Sequence, residues 1–305
     1  MLNNISVVGN QVIILFVLIA VGFICNKTKL IGKTTVKQLT DFVLYIVTPC
    51  VIINSFSRPF EKELLTSLLI TFGLSFLSFF INIFLANLLI RDKIESKKKV
   101  LKYGAVFSNA GFMAIPLQQA ILGDIGVFYG AVFIAVFNIL NWTYGIMLMS
   151  GDKKYISLKK IFINPGIIGT AIGITLFLLP FNLPSVIGKP IEYFAALNTP
   201  LPMVIIGFHL ADANLNIKGF STYFSIIFRL IISPLIILGL LVGLKVEKNI
   251  VLTLISATSA PFAASNTMFA EKFGGDTKLS AALVSITTLL SIITMPVIVG
   301  FAMNM

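Results

Sequence analysis

The sequence predicts an all-α membrane protein: ten transmembrane helices, arranged as two five-helix halves inserted with opposite orientation. Three observations predict it. The 305 residues are 57% hydrophobic and only 11% charged, with a mean hydropathy of +0.99, whereas soluble domains carry about 25% charged residues. Apolar runs alternate with short polar gaps along the whole chain. Two of those runs are interrupted by small polar residues at corresponding places in the two halves.

The ten runs are 7–25, 37–56, 64–90, 99–122, 125–149, 165–180, 190–211, 220–243, 250–271 and 278–302. Most are long enough to cross about 30 Å of hydrocarbon as a helix. Residues 1–6 carry no Lys or Arg and Val7–Cys25 is long enough to span, so the first run reads as a span rather than a cleaved signal. Spans 1, 3, 5, 8 and 10 are the most apolar, and spans 2, 4, 7 and 9 are less so. Span 6 is short, bounded by Pro165 and Pro180. No soluble catalytic or nucleic-acid-binding domain has room in such a chain. The net charge of +11 comes from basic residues in short loops, with no basic stretch interleaved with aromatics, so it reads as membrane orientation and not as a nucleic-acid surface.

The basic residues set the topology. Of 23 Lys and Arg, 17 fall on one side, in the 1–2, 3–4, 5–6, 7–8 and 9–10 connections, and five on the other. The positive-inside rule then places both termini outside the cytoplasm, in a plasma (inner) membrane. Arg229, within span 8, completes the count.

The interrupted segments are Tyr103–Asp124 in span 4 and Leu254–Asp276 in span 9. Both carry small residues, an Asn and a Pro mid-span, and both end in Gly-Asp. A second pair agrees: Thr48-Pro49 in span 2 matches Thr199-Pro200 in span 7, and the separation in sequence is nearly the same. Five spans per half is an odd number, so the halves must point in opposite directions. The division is 1–150 for the first half, a basic cytoplasmic linker at 151–162 and 163–305 for the second. Proline inside a helix removes a donor and clashes with the preceding turn. At Pro116 and Pro261, flanked by Gly, Ala, Ser and Asn, an unwound stretch is expected rather than a kink. Paired broken spans mark the binding site of a transporter.

At these residues the chain resembles the auxin efflux carrier family, which includes plant PIN-type and bacterial malonate-type carriers. The resemblance spans essentially the whole chain. It rests on Ser108-Asn109-Ala110-Gly111-Phe112 with Ile115-Pro116-Leu117, and on Asn164-Pro165-Gly166-Ile167-Ile168. Asn198-Thr199-Pro200-Leu201-Pro202 adds to it, as do Ala260-Pro261, Ser265-Asn266 and Ala270 through Asp276. It implies a fold similar to bile-acid symporters and sodium/proton antiporters. Spans 1, 2, 6 and 7 would form a scaffold, spans 3–5 and 8–10 a transport domain, and broken spans 4 and 9 would cross. It also implies a homodimer through the scaffold, which the sequence itself does not display. Gly126/Gly130 and Gly169/Gly173 are G-x-x-x-G pairs that serve either such a dimer face or close packing within the bundle.

At a crossing, half-helices starting near Gly111 and Ala264 would converge and present unpaired amides to an anion. The expected substrate-binding residues are Ser108, Asn109, Gly111, Pro116, Pro261, Ser265, Asn266 and Thr267. Asn109 and Asn266 would donate to a carboxylate, or else cap exposed backbone at the breaks. Asp41, Thr48, Pro49, Asn198, Thr199, Pro200, Thr258 and Ser259 form an outer set, for gating or for packing around the breaks. Asp41 is the candidate for proton chemistry. His209 and Asp212 lie near the cytoplasmic end of span 7, Arg229 is in span 8 and Glu271 ends span 9; most of these are close enough to an interface to snorkel.

The expected function is secondary transport of small organic anions, carboxylates first. The alternative is a sodium- or proton-coupled importer of the bile-acid-symporter type, and a channel or ligand sensor ranks lower. No cofactor is expected beyond a coupling ion, Na⁺ or H⁺. Cys25 and Cys50 read as packing residues, and with one His no metal site is expected. No nucleophile–base pair or acidic dyad suggests an enzyme.

Overall fold

A computed structural model describes residues 2–157, 159, 162–179, 183–213 and 215–305. Pro180, Lys160 and part of the linker lie outside them. Among the described residues the chain is helical throughout, with no strand beyond one isolated bridge. In order the helices are α1 (Leu2–Lys27), α2 (Lys33–Phe56), α3 (Lys62–Leu89), α4 (Glu95–Val106), α5 (Ala110–Leu122), α6 (Asp124–Ser150) and α7 (Pro165–Leu178). Then come α8 (Ser185–Ala196), α9 (Pro200–Ala211), α10 (Phe220–Gly243), α11 (Lys248–Ser259), α12 (Ser265–Phe273) and α13 (Thr277–Ala302).

Seven stretches are long and apolar enough to cross a membrane: α1, α2, α3, α6, α8 with α9, α10 and α13. The chain is a multi-pass membrane protein. Three of the expected spans are not single long helices. The fourth is divided into α4 and α5, the ninth into α11 and α12, and the sixth is the 14-residue α7.

Proline sets the finer shape. Of the wide turns of π-helix among the described residues, one at Asn141–Gly145 has no proline after it, and three lie at Val43–Val47, Ala110–Ala114 and Phe228–Ile232. Each of these three ends two residues before a proline: Pro49, Pro116 and Pro234. The ring of a helical proline clashes with the carbonyl four residues earlier, and that residue is the centre of each wide turn. Widening the turn moves the carbonyl aside without ending the helix. In span 7 the same problem is solved by a turn over residues 197–199 between α8 and α9.

Small residues bring helices together. α1 packs on α9 and α13, and α2 on α7 and α8. A Cβ added at Gly22 would strike the Val204 carbonyl, and one at Gly207 the Ile19 carbonyl, so α1 and α9 touch backbone to backbone. The two G-x-x-x-G pairs also make close contacts within the bundle. A Cβ at Gly169 or Gly173 would lie 2.9 Å from Pro49 or Phe56 of α2. Gly130 makes room for Gln118, whose amide donates to the Thr253 carbonyl at 2.9 Å. Many buried hydroxyls donate to carbonyls of their own helix, as Thr71, Ser75, Thr170 and Ser256 do. They therefore carry no unmet polar demand into the bilayer.

Gly207→Ala is expected to lower the thermal stability of the detergent-purified protein, because overpacking a filled contact costs about 1–3 kcal/mol. Gly239→Ala, where a Cβ meets no atom within 4 Å, should leave the melting temperature unchanged. Equal melting curves for the two variants would disprove the close α1–α9 approach.

Candidate functional site

The site begins where α4 and α11 stop. Phe107 and Ala260 leave helical geometry for extended backbone, and the two unwound stretches pair with one another. Ser108 and Phe262 form an antiparallel bridge. The Asn109 amide donates to the Pro261 carbonyl at 2.7 Å, and the Ala263 amide to the Phe107 carbonyl at 3.0 Å. The Phe262 amide donates to Thr287 Oγ1 of α13 at 3.1 Å. The Phe262 ring lies where a side chain at position 104 would sit, which explains Gly104.

The carbonyl ends meet a different partner. Arg229 of α10, 1% exposed, donates through Nη1 to the Ala105 and Val106 carbonyls, each at 3.2 Å, and through Nη2 to the Thr258 carbonyl. The sequence reading let this residue snorkel to an interface. It is instead enclosed, because the ends of α4 and α11 supply acceptors that an aliphatic interior lacks.

The amide starts differ: at α12 the Asn266 and Thr267 amides donate to the Ala263 and Ala264 carbonyls, whereas the start of α5 is unpaired. The first three amides of α5, those of Ala110, Gly111 and Phe112, have no partner among the described residues, and the Asn109 side chain does not cap them. Asn109 is only 7% exposed, yet it lines a cavity of about 1120 Å³. One wall is polar, from Asn109, Thr267, Ser285 and Thr288. The other is apolar, from Phe112, Ile205, Phe208 and Leu210. Four lysines, Lys33, Lys97, Lys218 and Lys278, also line the cavity. The carboxylates among the described lining residues are already engaged. Asp212 lies 3.7 Å from Lys33, and Asp276 accepts from the Leu279 amide at 3.0 Å, starting α13. Lys97 also approaches Asp92, at 3.5 Å. Burial alone would raise the Asp92 carboxyl, but the Ile94 amide, the Ser221 hydroxyl and Lys97 together hold it below the ordinary range.

The far end of α2, one helix length away, is closed by rings. Phe56 lies 4.6 Å and Phe177 5.4 Å from Phe128, and the Arg58 guanidinium sits 4.8 Å above Phe128.

Of the expected binding residues, Asn109 and Thr267 line the cavity; Ser108, Gly111, Pro116, Pro261, Ser265 and Asn266 do not. Asn266 is fully buried, and its amide donates to the Val100 carbonyl at 3.2 Å. Ser265 Oγ lies 2.8 Å from the Tyr103 hydroxyl, which also bonds Asn141 Oδ1. Thr267 Oγ1 is 3.1 Å from Ser280 Oγ. In the outer set, Thr258 and Ser259 bond back to their own helix. Pro49 packs on α7, and Asn198 is buried with its Nδ2 unpaired. Thr48, Thr199 and Pro200 are half-buried at the paired turns, and Asp41 is exposed on α2 outside the cavity. Phe112, the α9 wall and the α13 hydroxyls went unnoticed in sequence. Only Phe112 had a local signal, its place between Asn109 and Pro116.

A model of a membrane transport protein family matches residues 7–159 and 154–299. An uncharacterized transporter of Methanocaldococcus jannaschii is 28% identical over 92% of this chain and 94% of its own length. A provisionally named malonate transporter of Rhizobium meliloti is 23% identical over 84% of this chain and 83% of its own.

Tyr103→Phe is expected to lower stability by about 1–3 kcal/mol, because it takes the hydroxyl away from buried Asn141 and half-buried Ser265. A double-mutant cycle with Ser265→Ala in thermal unfolding should show coupling. Strict additivity would mean that the hydroxyl does not join α4, α6 and α12.

Proposed function

Because the chain belongs to the membrane transport protein family, the auxin efflux carrier family that its motifs resemble, we propose that it is a secondary active carrier of small organic anions, carboxylates first, working by alternating access. The observation that carries this reading is the start of α5, where the amides of Ala110, Gly111 and Phe112 have no partner among the described residues, next to Asn109 and Phe112 in the cavity wall. A helix start concentrates about half a positive charge and offers N–H groups to an anion. The lysines along the cavity would draw anions toward it, and the two aspartates in its described lining, Asp212 and Asp276, are engaged with Lys33 and the Leu279 amide. The malonate assignment of the Rhizobium meliloti relative points to the same chemistry.

On this reading the fold is a ten-span inverted repeat, with α4–α5 and α11–α12 as its crossing broken spans. α1, α2, α7 and α8–α9 are the scaffold, and the remaining helices the moving unit. The lysine-lined mouth faces the cytoplasm, and both termini lie outside. The aromatic cluster under Arg58 closes the outer side, so the molecule is open inward. Export of a monoanion then needs no coupled ion, since an inside-negative potential supplies about 2.3 kcal/mol per charge per 100 mV.

The test is counterflow of a labelled carboxylate panel, malonate included, in vesicles holding the purified protein. Asn109→Ala should cut the flux of any accepted member about tenfold or more, as expected for losing a hydrogen bond to a charged group. Asn266→Ala should act mainly on thermal stability, since its amide serves Val100. A panel negative throughout would sink the anion reading, and uptake that requires a sodium gradient would favour a coupled importer.

A further inference from the structure

Arg229 is an enclosed cation without an acid. Its Nε has no partner, and no carboxylate among the described residues forms an ion pair with it. A lone ion is expensive to bury unless charge of opposite sign meets it. Here that charge is distributed over main chain. Each helix carboxyl end carries about half a negative charge, and Arg229 touches two such ends, of α4 at Ala105 and Val106 and of α11 at Thr258. Two halves match one guanidinium.

The placement is built. The wide turn at Phe228–Ile232, four residues ahead of Pro234, carries Arg229. One turn earlier on the same helix, Ser225 Oγ donates to the Leu101 carbonyl at 2.9 Å. A planar fork reaches carbonyls of two helices at once, which an ammonium does as a single point.

We propose that Arg229 is the resident cation of a carbonyl cage formed by the ends of α4 and α11, and that it is a positioning residue for the anion site. It holds the register in which the unwound stretches pair. It also cancels the negative ends, so that the positive amide ends dominate the field at Asn109. The anion clause rests on the carrier reading above, but the cage does not.

The cage predicts chemical rescue. Arg229→Ala in the detergent-purified full chain should melt about 5 °C lower or more. Methylguanidinium should restore at least half of that loss, and equal concentrations of sodium or potassium should restore less. A thiol reporter, Asn109→Cys with Cys25 and Cys50 replaced by Ser, reads position directly. Its maleimide labelling rate, read well below the melting temperature of both variants where the unfolded fraction is negligible, should change at least about threefold on adding Arg229→Ala and return with methylguanidinium. Should Arg229→Ala fail to fold, Arg229→Lys and Arg229→Gln replace it, with Lys expected to melt between wild type and Gln. An Arg229→Ala protein as stable as wild type would overturn the proposal. So would recovery no better with methylguanidinium than with sodium, an unaltered labelling rate, or Lys and Gln variants of equal stability. None of these readouts needs flux, so a negative carboxylate panel would refute the carrier reading and leave the cage standing.

Discussion

Main-chain polar groups removed from water must be paired inside the protein, and each one left unmet costs several kcal/mol in hydrocarbon. Everything distinctive in this molecule follows from where that demand is met. α4 and α11 both stop inside the bundle, and neither break could stand alone. Each supplies the acceptors and donors that the other lacks, through Asn109 to Pro261 and Ala263 to Phe107. α13 contributes Thr287 and α10 contributes Arg229. Two interruptions are tolerated because they coincide.

The demand is met unevenly, and the unevenness has a sign. The carbonyl ends are closed by a guanidinium. The first amides of α5 are left without partners among the described residues, beside the cavity wall at Asn109 and Phe112. A helix interrupted in this way has opposite polarity on the two sides of the break, and neutralising one side exposes the other. That polarity, together with the lysines along the cavity, is the physical basis for reading the site as one for anions. The apolar wall from α9 gives the same cavity a surface for the uncharged part of a ligand.

Proline and glycine do complementary work around this centre. Proline widens helices at three places without breaking them, and the widened turns carry Phe112 into the cavity wall and Arg229 into the carbonyl ends. Glycine draws α1 onto α9 and α7 onto α2.

Much of this was legible in the sequence. Composition announces the bilayer, because the cost of burying charge acts on every residue. The break in span 9 is announced by Pro261 with its small neighbours, but Pro116, where an unwound stretch was expected, lies within α5, and span 4 unwinds earlier, at residues 107–109, because the proline only widens its own turn. The matched motifs announce two similar interruptions. What sequence could not apportion is the difference between them. Asn109 and Asn266 look equivalent in their motifs, yet one lines the cavity and the other is spent on the Val100 carbonyl. Arg229 looks like a snorkelling charge until the ends of α4 and α11 are seen around it. Local chemistry determines where a helix must stop. Which groups then face a ligand depends on helices distant in sequence, here α9, α10 and α13, and only their packing decides it.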